Sequence, residues 1–352
     1  MKKTIIAFGV SLLAVSAQAQ LTQNWFIPAD ATAITSFAND SNTRGLGYNR
    51  ITDNVYLVSR TGALNIQVRK AADGTVGSPS TLNVTGIAGG TFALNDVDVT
   101  DEGVIYGANL ANGNGTTPVT LNVYRWANEA AAPVLVYTAS ASERLGDTFA
   151  VRGIDSNNST EIFIGGQGNA NVRRLVTADN GATFTVAATN GTIASGQAST
   201  TGGLHPRREN SNLIITTGGL SKREVLLDGT LVETADTGIV GSSFGPGDLY
   251  YNTDGDIYLA LQVGNASPQL ARVFDITTGL GVGEIATIFN TPSMGTNSNG
   301  NGTGDIVFTN AGNMIVLSTA NGLGSYGSSV DFGTNANAFV PPVASAENWE
   351  LY

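Results

Sequence analysis

Arginines, aspartates and a single histidine, placed at one recurring position of six repeats, are the residues of this chain best suited to chemistry. Aligning the apolar centres Leu46, Val97, Ile154, Leu204, Leu249 and Ile306 puts Arg44, Asn95 and Arg152 in one column. Asp96, Asp248 and Asp305 share the next column, and Asp98, Asp155 and His205 stand two positions further on. Two guanidiniums from separate repeats could clamp an anion or a sugar, because the planar fork bonds oxyanions in pairs. The carboxylates Asp96, Asp248 and Asp305 could instead hold Ca²⁺ together with carbonyls and water. Against both stands a structural reading in which these groups pair with one another and with strand-end backbone, since ion-pair networks give the same pattern. The ligand-binding candidates are thus Arg44, Asp96, Arg152, Asp155, His205, Asp248 and Asp305.

Several chemistries drop out on residue types alone. His205 is the only histidine and there is no cysteine, which excludes zinc sites with several His or Cys ligands and also disulfides. His205 is followed by Pro206-Arg207-Arg208 and reads as a partly buried polar residue near a strand end. No G-x-S-x-G elbow is present, and the Gly-rich run Gly295 to Gly304 precedes no helix that could supply a phosphate-binding dipole. Asp96, Asp98 and Asp101 in DVDVTDEG lack the Gly and distal Glu of an EF-hand loop. In a strand, Asp96 and Asp98 would share a face and Asp101 would fall in the turn. Stacking of sugars needs exposed aromatics, and Trp25, Trp126 and Trp349 read more simply as packing residues.

The elements that must position these residues are short strands. From Arg44 to Val76 the chain reads as three strands, Leu46 to Asn49, Val55 to Ser59 and Leu64 to Arg69, joined by Asp-Asn, Thr-Gly and Asp-Gly turns. The unit recurs every 52 residues or so, with second strands VYLVS, VIYGA, IFIGG, LIITT, IYLAL and MIVLS. A fourth strand follows in each repeat, as in PVLVYTA from Pro133 and GEIATIFN from Gly283. Helical periodicity is almost absent. Four-stranded units repeated six times predict an all-β chain, a β-propeller of six four-stranded blades, with seven as the alternative. In the sixth repeat a strand is expected near Val330 to Phe332. Asn24 to Ile27 and Asn348 to Tyr352 are spare strands, and at least one should complete the last blade and close the ring.

Thr177-Ala178-Asp179-Asn180-Gly181-Ala182-Thr183-Phe184 resembles the Asp-box of sialidase-like propellers, a structural hairpin usually remote from any active site. Sialidase chemistry itself is not expected, because only two candidate arginines are present and Tyr48, Tyr250 and Tyr251 lack a Glu partner. The run RGLGYN…VYLVSR, with Gly89 to Val97 and Val104 to Leu110, resembles a family of secreted bacterial propeller proteins known only as a domain of unknown function. The resemblance is best between Trp25 and Trp126. It implies export and a propeller fold, and no activity.

Met1-Lys2-Lys3, an apolar run from Thr4 to Val15 and Ala17-Gln18-Ala19 make a secretory leader over residues 1–19, leaving residues 20–352 as one exported domain, periplasmic or extracellular. Removing the leader, which holds Lys2 and Lys3 and no acid, takes the formal charge from −11 to −13. Such acidity argues against nucleic acid and anionic membranes as partners. No later segment is long and apolar enough to insert in a bilayer. The expectation is a monomeric, non-catalytic binding or surface-interaction module for a glycan or protein. A Ca²⁺-dependent hydrolase or lactonase-like enzyme with its site at the axial mouth is the alternative.

Overall fold

The computed structural model of the protein describes residues 19–29, 42–194, 202–263, 267–297 and 303–337. Residues 1–18 of the expected leader, the expected strand Asn348 to Tyr352 and the middle of the Gly295 to Gly304 run lie outside them. Six small antiparallel sheets form a ring, a six-bladed β-propeller. From the axis outward, blade one is Thr43–Asn49, Asn54–Ser59, Asn65–Lys70 and Val76–Thr81. Blade two is Phe92–Val99, Ile105–Asn112, Val119–Trp126 and Val134–Ala141. Blade three begins with Thr148–Arg152, Glu161–Gly165 and Asn171–Val176, and its outer position is split between Thr185–Val186 and Thr192–Ala194. Blade four is Gly202–Pro206, Leu213–Thr217, Arg223–Val225 and Leu231–Thr234, and blade five is Phe244–Tyr251, Ile257–Val263, Ala271–Asp275 and Ala286–Asn290.

Second strands are buried along most of their length, and wholly so in Asn54–Ser59, Leu213–Thr217 and Met314–Ser318. Each lies between two neighbouring blades, so both of its faces must be apolar, and the sequence reads as a continuous hydrophobic run. Tyr56 and Val58 face blade two beside Trp126, whereas Val55 and Leu57 face blade six beside Ile315 and Leu323. Among the described residues there is one such hydrophobic cluster at each of the six seams between blades. The core is therefore a ring of wedges around a polar axis.

Blade six consists of Gly304–Phe308, Met314–Ser318 and Gly322–Tyr326, and the N-terminal strand Gln23–Pro28 supplies its outermost position. Trp25 pairs with Ser325 and Ile27 with Leu323. A two-residue strand, Ala19–Gln20, runs parallel to the outer edge of blade five at Phe289 and Asn290. One spare strand thus closes the ring as expected. The strand expected near Val330 to Phe332 is instead a helical turn, Ser329–Phe332, whose start is capped by the Ser328 hydroxyl accepting from Val330 N–H. Its third strand is the Gly-rich Gly322–Tyr326, where a side chain at Gly322 would strike the Phe26 ring.

The hairpin turn at Thr177 to Phe184 is held by Asp179, which accepts from Thr183 N–H at 2.9 Å and from both the Thr177 and Thr183 hydroxyls. Gly181 has φ 76°, and a Cβ there would collide with the Tyr106 hydroxyl and the Asp155 carboxylate. Phe184 is buried and meets Tyr106 edge-on at 5.4 Å. No helix among the described residues is long and apolar enough to cross a membrane.

Candidate functional site

The six innermost strands start at one end of the axis and finish at the other, and between them they enclose a cavity of about 180 Å³. That volume lies below the roughly 300 Å³ of ordinary ligand pockets, and it is large enough for several waters. Arg44, Asp96, Arg152, His205, Asp248 and Asp305 line it, as do Asn95, Asp98 and Thr148. Asp155 does not.

The four axial aspartates share one construction. Asp98 accepts from its own neighbour Val99 N–H at 2.7 Å and from Val151 N–H of blade three at 2.6 Å. Asp248 accepts from Leu249 N–H and from Phe308 N–H of blade six. Asp305 does the same with Ile306 N–H and Leu46 N–H of blade one. Asp96 takes Val97 N–H at 2.8 Å and is also bonded to the Phe149 amide of blade three. The inner edge of every blade exposes unpaired backbone donors, and these carboxylates clasp them across three seams. Between blades one and two there is no room for such a clasp: a Cβ at Gly45 would come within 2.6 Å of Asp96 Cα.

Burial outweighs these hydrogen bonds in the electrostatics. It pushes the Asp98 carboxyl up to about 7, with Asp248 and Asp101 adding repulsion, and the Asp248 carboxyl up to about 6. Asp96 and Asp305 stand well above the usual carboxylate range, driven first by burial and then by like charge. Among the described residues no group of three or more His, Cys, Asp or Glu side chains could hold a metal ion, so Asp96, Asp248 and Asp305 are not brought together as ligands.

His205 is buried, with Nε2 2.9 Å from the Thr216 hydroxyl. Thr216 gives its one proton to Gly245 C=O of blade five at 2.5 Å and accepts from Gly203 N–H. The imidazole shares that hydrogen bond through Nε2. Burial pushes its pKa down to about 3, far from the working range of a general base. His205 and Thr216 are thus a further clasp, between blades four and five.

The arginine pair expected in one column is split between the two ends of the axis. Arg44 stands where the inner strands begin, at the leading mouth. Arg152 stands where they finish, at the trailing mouth, bonded to Glu161 and to Arg207 C=O. The cause is the turn of blade three, which spends extra residues on a single 3-10 turn at Asp155–Asn157. The centre of its inner strand is Ala150, four residues before Ile154. The same shift carries Asp155 out of the axis, where Tyr106, Thr160 and Arg125 bond its buried carboxylate.

That register also hides two residues. Arg144 and Asp147 precede the inner strand of blade three and so stand beside Arg44. Arg144 bonds Asp147 through two parallel contacts of 2.6 Å. Arg44 is pushed below the ordinary guanidinium range by burial, against the attraction of Asp147 and with the repulsion of Arg144. Arg60 donates to Asn95 at 2.6 Å, and Asn95 donates to Gly146 C=O, the residue before Asp147. Arg60 also lies 3.8 Å over the ring of Phe92. Among the described residues, the leading mouth thus brings Arg44 beside the Arg144–Asp147 pair, with Arg60 tied in through Asn95.

The trailing mouth is balanced and strapped. Asp101 bonds Arg50 at 2.9 Å and Arg208 at 2.8 Å. Both arginines also hold Asn337, Arg50 through its carbonyl and Arg208 through its side-chain amide. Ala336 N–H on Tyr251 C=O and Asn335 on Thr309 C=O fix the segment across the opening.

An all-β ring of six blades with a polar axis defines a β-propeller, a class that serves many activities. The chain belongs to the DUF4623 family, a domain of unknown function, matched over residues 20–296. It is similar in fold to the crystal structure of a DUF4623 family protein from Bacteroides eggerthii. The TM-score is 0.63 at 16% identity, over 84% of this chain and 72% of that one. No curated protein matches it.

Proposed function

We propose that the protein is an exported, non-catalytic binding module that meets its partner, a glycan or another protein, at the leading mouth of the axial channel. One observation carries this reading. The axial groups best placed for catalysis, His205 and the four aspartates, are already spent on clasping neighbouring blades. A neutral imidazole with no carboxylate to orient it cannot run a Ser-His-Asp relay, and the backbone bonds that each aspartate makes to a neighbouring blade give it a structural use. What the axis leaves for contact is its rim, and the trailing rim is crossed by Thr334 to Asn337. Export rests on the leader-like residues 1–19.

The test is a glycan array and a panel of lactone, glycoside and ester substrates, run on the mature chain with and without millimolar Ca²⁺. The expected result is ligand retention without turnover, weakened by substitutions at the leading rim. Turnover that needs Ca²⁺ and is lost in Asp248→Asn would overturn the reading in favour of a hydrolase.

A further inference from the structure

We propose that Gly333 to Asn337 is a hinged lid over the trailing mouth, which swings off the axial channel while the six blades stay folded. The lid goes beyond the reading of the leading mouth and stands or falls without it. Gly333 divides an apolar anchor from a polar latch. On the anchor side, Phe332 is fully buried among Tyr250, Phe289 and Phe308, with ring centroids 5.5–5.7 Å apart. Its carbonyl accepts from the Asn252 amide at 3.2 Å, and Gly333 C=O accepts from the Tyr250 hydroxyl at 2.7 Å. Gly333 turns the chain at φ 77°, a conformation that strains residues with a side chain.

On the latch side nothing is buried: Thr334 and Ala336 are exposed, and Asn335 and Asn337 are half-buried. Thr334 C=O accepts from Thr253 N–H and Ala336 N–H donates to Tyr251 C=O, both at 2.9 Å. Asn335 Nδ2 donates to Thr309 C=O at 2.8 Å. The tip is gripped from opposite sides of the ring. Arg50 of blade one donates to Asn337 C=O and Arg208 of blade four to its side-chain oxygen, each at 2.9 Å. Asn335 and Asn337 line the axial cavity, so the latch stands over the channel and not beside it. Hydrogen bonds within reach of water exchange readily for bonds to water, so the latch parts at a free energy well below that of unfolding the apolar seams. Opening uncovers Arg50 and Arg208 and gives the channel a second entrance.

Native-state hydrogen exchange of the mature chain at pH 7, with and without low urea, tests the lid. The reporters are the Ala336 and Thr253 amides, which bond across the latch, and the reference is the Leu259 amide inside the second strand of blade five. Both reporters should show protection factors at least about tenfold below that of Leu259, with little dependence on urea, because their opening exposes little surface. Arg208→Gln and Asn337→Ala remove the same bond from its two ends. Each should lower the protection of both reporters by about fivefold or more and leave Leu259 unchanged. The Leu259 amide also reports whether each variant keeps its fold, and Asn337→Ala decides if Arg208→Gln does not. A smaller gap from Leu259 in the wild type, or a urea dependence equal to that of Leu259, overturns the lid and makes the segment a fixed staple of the ring. Variants that change the reporters by less than about fivefold overturn it too, because the latch would then not hold the segment shut.

Discussion

Replacing Asp98 by Asn should cost the protein far less at high pH than at low pH, by a margin the structure fixes. The folded state holds the Asp98 carboxyl at about 7, against an ordinary value of 3.8. A carboxyl raised in this way stabilises the fold fully below pH 4, and the contribution drains away as pH climbs toward 7. Two units of that window fall between pH 5 and pH 8, and at 1.36 kcal/mol per unit they are worth about 3 kcal/mol. Asn keeps the neutral shape and cannot ionise, so the penalty of Asp98→Asn should shrink by about 3 kcal/mol over that range. With an unfolding entropy of roughly 2.1 cal/mol/K per residue, a chain of this length should show about 4 °C of relative Tm change. His205 works in the opposite sense. Its folded value of about 3 lies below the ordinary 6.5, so stability is gained as pH rises through that interval. Comparing variant with wild type cancels the histidine. Urea unfolding of both proteins at pH 5, 6, 7 and 8 is the assay. A penalty constant within about 0.5 kcal/mol across the series would show that Asp98 is ionised in the fold and that burial does not dominate there.

Two more perturbations follow from buried contacts. Lys222 is 1% exposed and donates from Nζ to the carbonyls of Thr217, Leu220, Gly241 and Ser242 at 3.0–3.3 Å. Lys222→Met strips the ammonium from all four carbonyls, of which Thr217, Gly241 and Ser242 keep a backbone N–H donor; it should cost about 2–5 kcal/mol in urea unfolding, and a loss below 1 kcal/mol would show that water replaces the ammonium. Gly45→Ala forces a methyl against Asp96 Cα, a backbone atom that cannot step aside. It should lower stability by more than about 2 kcal/mol or abolish soluble expression, whereas an unchanged Tm would mean that blades one and two are not in close contact at the axis.

The fold was legible because its signals are redundant. Six doubly buried second strands and the turns between them repeat the same message, so a single misread repeat does no harm. The Gly-rich strand Gly322–Tyr326 escaped for a physical reason: its neighbours, and not its own side chains, fill the space around it. The site was harder. Arg44, Asp96, Arg152, His205, Asp248 and Asp305 line the axial cavity, since apolar periodicity fixes which residues of a strand face inward. Position along the axis depends on turn length, and the long turn holding Asp155–Asn157 sets the inner strand of blade three back by four residues. Arg144 and Asp147 were masked by that slip. Nor could a column of aspartates reveal its use, because a carboxylate that clasps an amide and one that binds a cation are the same letter.

The pairing of Gln23–Pro28 with Gly322–Tyr326 joins segments some 300 residues apart, as the Asn24 amide on Gly327 C=O illustrates. A ribosome or a translocon delivers the first of these strands long before the second exists. Through nearly the whole of synthesis the opening segment must wait, its apolar side chains unshielded, while five complete blades and the start of the sixth are laid down behind it. Closing the circle is thus a late, long-range event that pays its loop entropy at the end. A permuted chain that begins at Thr43 and carries residues 20–28 after Tyr326 would make every blade contiguous. It should reach the same ring faster, which turns the wait itself into a measurable folding rate.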